Sequence, residues 1–180
     1  MTSLPAISEV PTLSTEARAA ILDTLFEPCP QLHTLSVSLL HERSFDSYDA
    51  LIAAVGEQLS ALYDSRLESD TRWLDAILVA HPRLGDKKVD SEQSRREQAQ
   101  LNQTAGADDD AAEKLASLNR AYEEKFPGLR YVVFVNGRSR PVIMEDMQRR
   151  IDRGDLAQEK VDGIKAMCDI ASDRAKKLGG

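Results

Sequence analysis

Two short stretches carry residue types and spacings suited to acid–base chemistry: His81-Pro82-Arg83-Leu84-Gly85-Asp86 and Ser94-Arg95-Arg96-Glu97-Gln98. Leu74, Ile77, Leu78 and His81 recur at i, i+3, i+4 and i+7, one face of a helix, which puts an imidazole at the end of a core-facing stripe. Pro82 disfavours the α region for His81, so the helix is expected to stop there, and Gly85 opens a turn. Asp90 or Ser91 can cap a second helix, with acidic Glu92 in its first turn. There Ser94, Glu97, Gln98 and Leu101 share a face, and Leu101 is the only large apolar residue, so that face is expected to point inward. It carries a hydroxyl, a carboxylate and an amide, and buried polar groups need partners that a ligand beside the histidine can supply. Each feature has a plainer reading too. A histidine on an apolar stripe is usually a satisfied core residue, and a Ser/Glu/Gln face is more often solvated.

Composition narrows the classes. A chain of 180 residues fits one domain and can bury a core. A net charge of −7 argues against nucleic acid or an anionic membrane as partner, and an anionic ligand would need a local cation. No apolar run approaches the length of a membrane span, and the first residues lack the basic and apolar regions of a signal peptide. Cys29 and Cys168 are far apart, which suits reduced thiols and a cytoplasmic location. The last four residues, Lys177-Leu178-Gly179-Gly180, are not the S-K-L peroxisomal address. His33, His41 and His81 form no H-x-x-x-H or H-E-x-x-H pair, so no metal site is expected.

The elements that must position the two stretches read as helices. Residues 1–13 are Pro- and Ser-rich and are expected to run as an N-terminal arm, leaving 14–180 as the helical domain. Ser14 or Thr15 caps a helix ended by Glu27-Pro28-Cys29-Pro30, Leu32 to Leu40 reads as a second, and Ser47 opens a third. Gly56 weakens that third helix slightly. Ser69 is expected to cap the helix ending at His81. The aspartates of Gly106-Ala107-Asp108-Asp109-Asp110 read as a loop and N-cap for a helix with the stripe Leu115, Leu118, Tyr122 and Phe126.

Arg130 to Val135 is the one strongly β-type run, and no comparable run exists to pair with it. A lone extended segment near 130–136 is therefore expected, with backbone groups that a ligand can satisfy, or with Val133 and Val135 plugging the core. Ser139 caps the next helix, whose basic end Arg149, Arg150, Arg153 reads as solvated. The last helix, Asp155 to about Leu178, has the stripe Val161, Ile164, Cys168, Ala171, Ala175, with Arg174 at its edge. That arginine either reaches inward between helices or lies on the surface with its stem covering apolar area. The fold class is all-α, a single-domain bundle of about seven or eight helices.

His-Pro-Arg-Leu-Gly (81–85), Ser-x-x-Glu-Gln (94–98) and Leu118-Asn119-x-x-Tyr122-Glu123-x-Lys125-Phe126 together resemble the 2-oxo-4-hydroxy-4-carboxy-5-ureidoimidazoline (OHCU) decarboxylase family. The likeness extends to Tyr131–Val135 and to Ile170-Ala171-Ser172-Asp173-Arg174, and covers roughly residues 10 to 178. Before the extended segment, Lys125-Phe126-Pro127-Gly128-Leu129-Arg130 departs from the Lys-Phe-Gly-Phe-Pro-Phe of many members and resembles a fungal-type branch. The resemblance implies a decarboxylase without cofactor or metal, acting on the small molecule OHCU to give (S)-allantoin and CO2 in urate degradation, and a homodimer. It implies His81 as proton donor, with Glu97 and Arg174 catalytic beside it. Pro82, Ser94, Gln98, Tyr131, Val132, Val133, Phe134 and Val135 would bind substrate. The alternatives are a non-catalytic interaction module of the same fold and a lyase acting on a related ureide anion. Two opposed effects act on the charge of His81: a helix C-terminus favours the imidazolium and burial disfavours it.

Overall fold

The computed structural model describes residues 3–86, 89, 91–104 and 109–180, the side chains of 103, 104 and 109 excepted. Within them a short 3-10 helix, Ile7–Thr12, precedes eight α-helices. These are α1 (Thr15–Phe26), α2 (Pro30–Glu42), α3 (Tyr48–Asp64), α4 (Glu68–Leu78), α5 (Glu92–Thr104), α6 (Asp109–Lys125), α7 (Arg140–Arg153) and α8 (Leu156–Lys177). No strand occurs among the described residues, so the bundle is all-α as its patterning requires. None of its helices is long and apolar enough to cross a membrane.

Local chemistry sets the ends. Ser14 Oγ accepts the Ala17 N–H at 3.2 Å, Ser47 Oγ that of Ala50 at 3.1 Å, and Asp155 that of Gln158 at 3.0 Å. Each satisfies one donor that a helix start leaves without an intrahelical partner. Ser91 Oγ does the same for Ser94 N–H at 3.1 Å and caps α5, while Asp90 lies outside the described residues. So does most of the 106–110 run, except that Asp110 in the first turn of α6 pairs with Lys114 at 3.2 Å. α7 closes on Gly154 at φ 63°, the left-handed conformation in which a side chain would be strained.

The long helix α8 is the axis of the molecule and packs on α1, α3 and α4. Close crossing explains a glycine that local propensity alone counts against α3. A Cβ on Gly56 would lie 2.9 Å from Cys168 Sγ, and one on Gly163 3.1 Å from Leu78. The two glycines let α3 and α4 approach α8 within side-chain contact. The core runs continuously from Leu22, Leu25 and Phe26 through Leu51, Val55, Leu74 and Ile77 to Met167 and Ala171.

Four expectations are corrected. The segment before Leu13 is no extended arm throughout: Val10 in its 3-10 helix is fully buried, and Tyr48 donates to the Pro5 carbonyl at 2.9 Å. Helix α4 starts after Leu67 with no side-chain cap, not at Ser69, and ends at Leu78, not at His81. Pro82 offers no N–H and restricts His81, so the chain tightens early, through an Ala80 N–H bond to the Ile77 carbonyl at 3.2 Å. On α8 the buried line is Ile164, Met167, Ile170, Ala171 and Arg174, whereas Val161 is exposed. Arg150 is buried, not solvated, because Glu159 in the first turn of α8 meets it. The basic end of α7 therefore divides, with Arg149 exposed and Arg150 internal.

Candidate active site

The loop from His81 to Gly85 is held rigidly by residues of two neighbouring helices. Gln98 of α5 donates to the Arg83 carbonyl at 3.0 Å and accepts the Gly85 N–H at 3.2 Å. Asn119 of α6 donates to the Leu84 carbonyl at 2.9 Å, and Glu123 one turn on takes the Arg83 guanidinium at 2.5 and 2.9 Å. The spacing Asn119-x-x-x-Glu123 thus puts two loop anchors on one helix face. At the other end, Arg130 Nη1 donates to the Val79 carbonyl at 2.8 Å and the His81 carbonyl at 3.4 Å, occupying the carbonyls that α4 leaves open.

Beside this loop lies a cavity of about 310 Å³. The loop supplies His81 and Pro82 to its wall, α5 supplies Ser94, Glu97 and Gln98, and the extended segment supplies Tyr131, Val132, Val133, Phe134 and Val135. Arg138, Asp173 and Lys177 line it as well, and sequence reasoning passed them over. All the candidate residues except Arg174 thus meet around one space of the size that takes a small ligand.

His81 is 4% exposed, and among the described residues neither of its ring nitrogens has a hydrogen-bond partner. Burial, reinforced by the nearby Arg174 charge and only partly offset by Glu27, pulls its titration down to about 4. Of the two effects opposed in the sequence, burial prevails. The imidazole is neutral near neutral pH, with one N–H and one free lone pair. A buried polar group without a partner is rare in a folded chain, and this one lines the cavity.

Arg174 stands behind that wall. It is 2% exposed, and each of its nitrogens donates within the protein. Nε and Nη2 grip the two oxygens of Glu97 at 2.8 and 2.9 Å; Nη2 also reaches Glu27 at 2.7 Å and Ser94 Oγ at 3.0 Å. Nη1 points at the Thr24 and Leu25 carbonyls, 3.4 Å from each, at the end of α1. The Ser94 hydroxyl donates to Glu27. The expected inward reach of Arg174 is therefore met, but its fork closes on Glu97 and not on the cavity. Ser94 and Gln98 likewise spend their side-chain bonds on the protein. Glu97, with 31% of its side chain exposed, keeps a face toward the cavity.

Glu27 is a further residue that sequence reasoning missed. It follows the last residue of α1 and precedes Pro28, so it reads as part of a helix stop, and nothing in its spacing marks it as buried. The only local signal is conformational: Pro28 forces it out of the α region.

The extended segment has no strand partner, and arginines take its carbonyls instead. Arg150 donates to Val132 O at 3.2 Å, and Arg138 to Phe134 O at 2.5 Å and Val135 O at 3.1 Å. Among the described residues no backbone N–H of 132–135 donates a hydrogen bond. Val132 is buried in the core, while Val133 and Val135 are half-buried against it, so the segment both plugs the core and lines the cavity. Among the described residues, no group of three or more His, Cys, Asp or Glu side chains gathers to hold a metal ion.

A solved structure titled "Crystal structure of (S)-allantoin synthase" has the same fold, with a TM-score of 0.64 at 16% sequence identity. The alignment covers 97% of this chain and 54% of that one, so the present chain spans about half the length of that relative. No curated protein sequence matches. The family model described as OHCU decarboxylase matches residues 11–176, which takes in the pinned loop, the α5 face, the extended segment and Arg174. The chain belongs to the OHCU decarboxylase family.

Proposed function

We propose that this protein is a carboxy-lyase that converts OHCU to (S)-allantoin and CO2 in urate degradation, without cofactor or metal. The observation that carries the reading is the buried, neutral, unpartnered imidazole of His81 on the wall of a cavity of about 310 Å³. Family membership supplies the substrate.

The reaction balances without an external electron carrier. When the C4–carboxylate bond breaks, its electron pair forms a C4=C5 bond, and the C5=N pair of the substrate moves onto nitrogen, which takes a proton. The resulting enol loses its hydroxyl proton as C4=O forms, and C5 gains one. A neutral imidazole can accept the first of these protons and deliver a proton to C5, so His81 is the proton donor that sets the face of attack. Glu97 accepts from the substrate hydroxyl or a ring N–H. The N–H groups of residues 132–135, which donate no hydrogen bond among the described residues, would serve with Arg138 and Lys177 of the cavity wall as donors to the carboxylate and ureido oxygens. Arg174 acts through Glu97, whose two oxygens it fixes, and Ser94 and Gln98 hold the wall. Such orientation and fixed donors are what this chemistry needs, since the electron sink is in the substrate.

The test is direct. Purified protein with freshly generated OHCU should give a circular dichroism signal of (S)-allantoin faster than the spontaneous reaction, which is racemic. A rate and optical outcome equal to the protein-free control would sink the proposal. The homodimer implied by the family resemblance belongs to the same reading, and sedimentation velocity tests it.

A further inference from the structure

Glu27 sits in a backbone conformation that side chains avoid, with φ 95° and ψ 148°. It is 3% exposed, and a carboxylate buried so deeply needs strong partners. One oxygen, Oε1, accepts from Arg174 Nη2 at 2.7 Å, from Ser91 Oγ at 3.2 Å and from the Ser94 hydroxyl. Burial works against its charge, but Arg174 and Ser94 together hold the carboxyl below the ordinary range. It also lies at the start of α5, where the helix dipole favours an anion. Three helix segments meet here: the end of α1, the beginning of α5 and the last turn of α8.

The consequence lies in how one guanidinium is shared between two carboxylates. Glu27 is sealed in the interior, whereas Glu97 reaches the cavity. Nη2 of Arg174 serves both, so a guanidinium tethered by Glu27 cannot turn without moving Glu97. Without Glu27, Arg174 and Glu97 would form a simple neutral pair; with it, the cluster carries one excess negative charge beside His81.

We propose that Glu27 is a positioning residue of this site: it fixes the Arg174 fork against α5, so that the free edge presents the Glu97 carboxylate to the cavity beside His81. This rests on the decarboxylase reading and deepens it. The strained backbone fits the role, since it places the carboxyl between α5 and α8 where a relaxed helix end would not.

The groups facing His81 from each side are Arg174, Asp173 and Lys177 on α8, Glu27 at the end of α1, Glu97 on α5, Arg138 after the extended segment, and Arg130 on the loop carbonyl. Arg174 and Glu27 act on the imidazole in opposite senses: the guanidinium lowers its titration and the carboxylate raises it.

The experiment compares wild type, Glu27→Gln and Glu27→Asp by steady-state kinetics on OHCU, by thermal melting, and by NMR titration of labelled histidine between pH 7 and 4. In Glu27→Gln, His81 should be less protonated at pH 4 than in wild type, and kcat should fall about tenfold or more with KM changing less, as loss of a charge-assisted hydrogen bond implies. Glu27→Asp keeps the charge but shortens the reach. Its His81 titration should stay near wild type while kcat is lowered, because the fork is displaced. A folded Glu27→Gln with unchanged His81 titration and unchanged kcat overturns the proposal. If Glu27→Gln does not fold, Glu27→Asp decides, and a wild-type kcat there overturns it. Absence of turnover in the wild type would sink the decarboxylase reading, whereas the His81 titration still decides whether Glu27 controls this site.

Discussion

Two arginines, Arg150 and Arg174, are buried among carboxylates, and they end differently. Arg150 meets Glu159, whose side chain is fully buried, and donates to it from Nε at 2.9 Å. Arg153 Nη2 donates to the other oxygen of that carboxylate at 2.6 Å, Tyr122 adds a 2.5 Å hydrogen bond, and Tyr131 lies under the guanidinium, 4.7 Å from ring centroid to Arg150. Arg150 Nη2 makes no hydrogen bond of good geometry, yet it lies 2.8 Å from the same carboxylate, so the charges on that side are met within the protein. Arg174 meets Glu27 in the same manner, yet its second carboxylate, Glu97, keeps a face toward a cavity that also holds an unpartnered imidazole. The chemistry of the two clusters is alike, and what separates them is completeness. A closed cluster holds the fold, here by anchoring Val132; an open one leaves capacity for a ligand.

The largest expected effect lies at the open side. His81→Asn should lose roughly 10²–10⁴-fold in rate, the usual contribution of a positioned acid or base. What allantoin still forms should be closer to racemic, because the enol intermediate is achiral and water protonates it from either face. Circular dichroism during turnover checks both. A slow variant that makes only the S product would assign proton delivery to another group and leave His81 to bind or orient.

The contrast is tested next by substituting one member of each cluster. Arg150→Gln leaves the buried Glu159 with only the more exposed Arg153 as its cation, and breaking such a buried pair costs up to about 3–5 kcal/mol in urea unfolding. Glu97→Gln leaves a partly exposed amide and keeps Arg174 paired with Glu27, so its stability loss should be far smaller. In turnover the order should reverse: Glu97→Gln falls roughly 10- to 100-fold in kcat/KM, the range of a hydrogen bond to a charged group, and folded Arg150→Gln falls less. If Glu97→Gln kept wild-type kcat/KM, Glu97 would leave the site.

The open cluster was the more legible of the two in the sequence, for a physical reason. Ser94, Glu97 and Gln98 share a face with Leu101 by helical period, and His81 follows the apolar stripe of Leu74, Ile77 and Leu78. The unpaired β-type run marked the extended segment and the family resemblance added its binding role, whereas its carbonyl partners Arg138 and Arg150 come from the far side of a turn and from another helix. Glu27 and Arg150 were not legible. Whether a charged side chain is buried depends on the partner brought to it by tertiary packing, and Glu27 lies 147 positions from Arg174 in sequence. The end of α4 was misplaced for a related reason: Arg130 and the tightened turn at Ala80 stop the helix early, and neither appears in a local hydrophobic pattern. The bundle itself was legible, since caps such as Ser14, Ser47 and Asp155 and the stripes between them are local.

The smallest effect, at the open cluster, is on stability against pH. The titration of His81 is lowered by burial first and by Arg174 second, from the ordinary 6.5 to about 4. The unfolded chain therefore takes up this proton before the folded one does, and between those two values the unfolded state is favoured as pH falls. Stability attributable to the neutral imidazole is complete above pH 6.5 and declines toward pH 4, by on the order of 3 kcal/mol at about 1.4 kcal/mol per unit. Glu27, whose carboxyl is held low chiefly by Arg174 against the cost of burial, adds a further loss only at lower pH, as it falls through the folded value. Urea unfolding at pH 7 and pH 5 should show this slope in wild type and a flatter one in His81→Asn, which has no imidazole to protonate. Equal slopes in wild type and His81→Asn would mean that His81 titrates in the folded protein as it does in the unfolded chain, and the lowered titration at the centre of the open cluster would have to be given up.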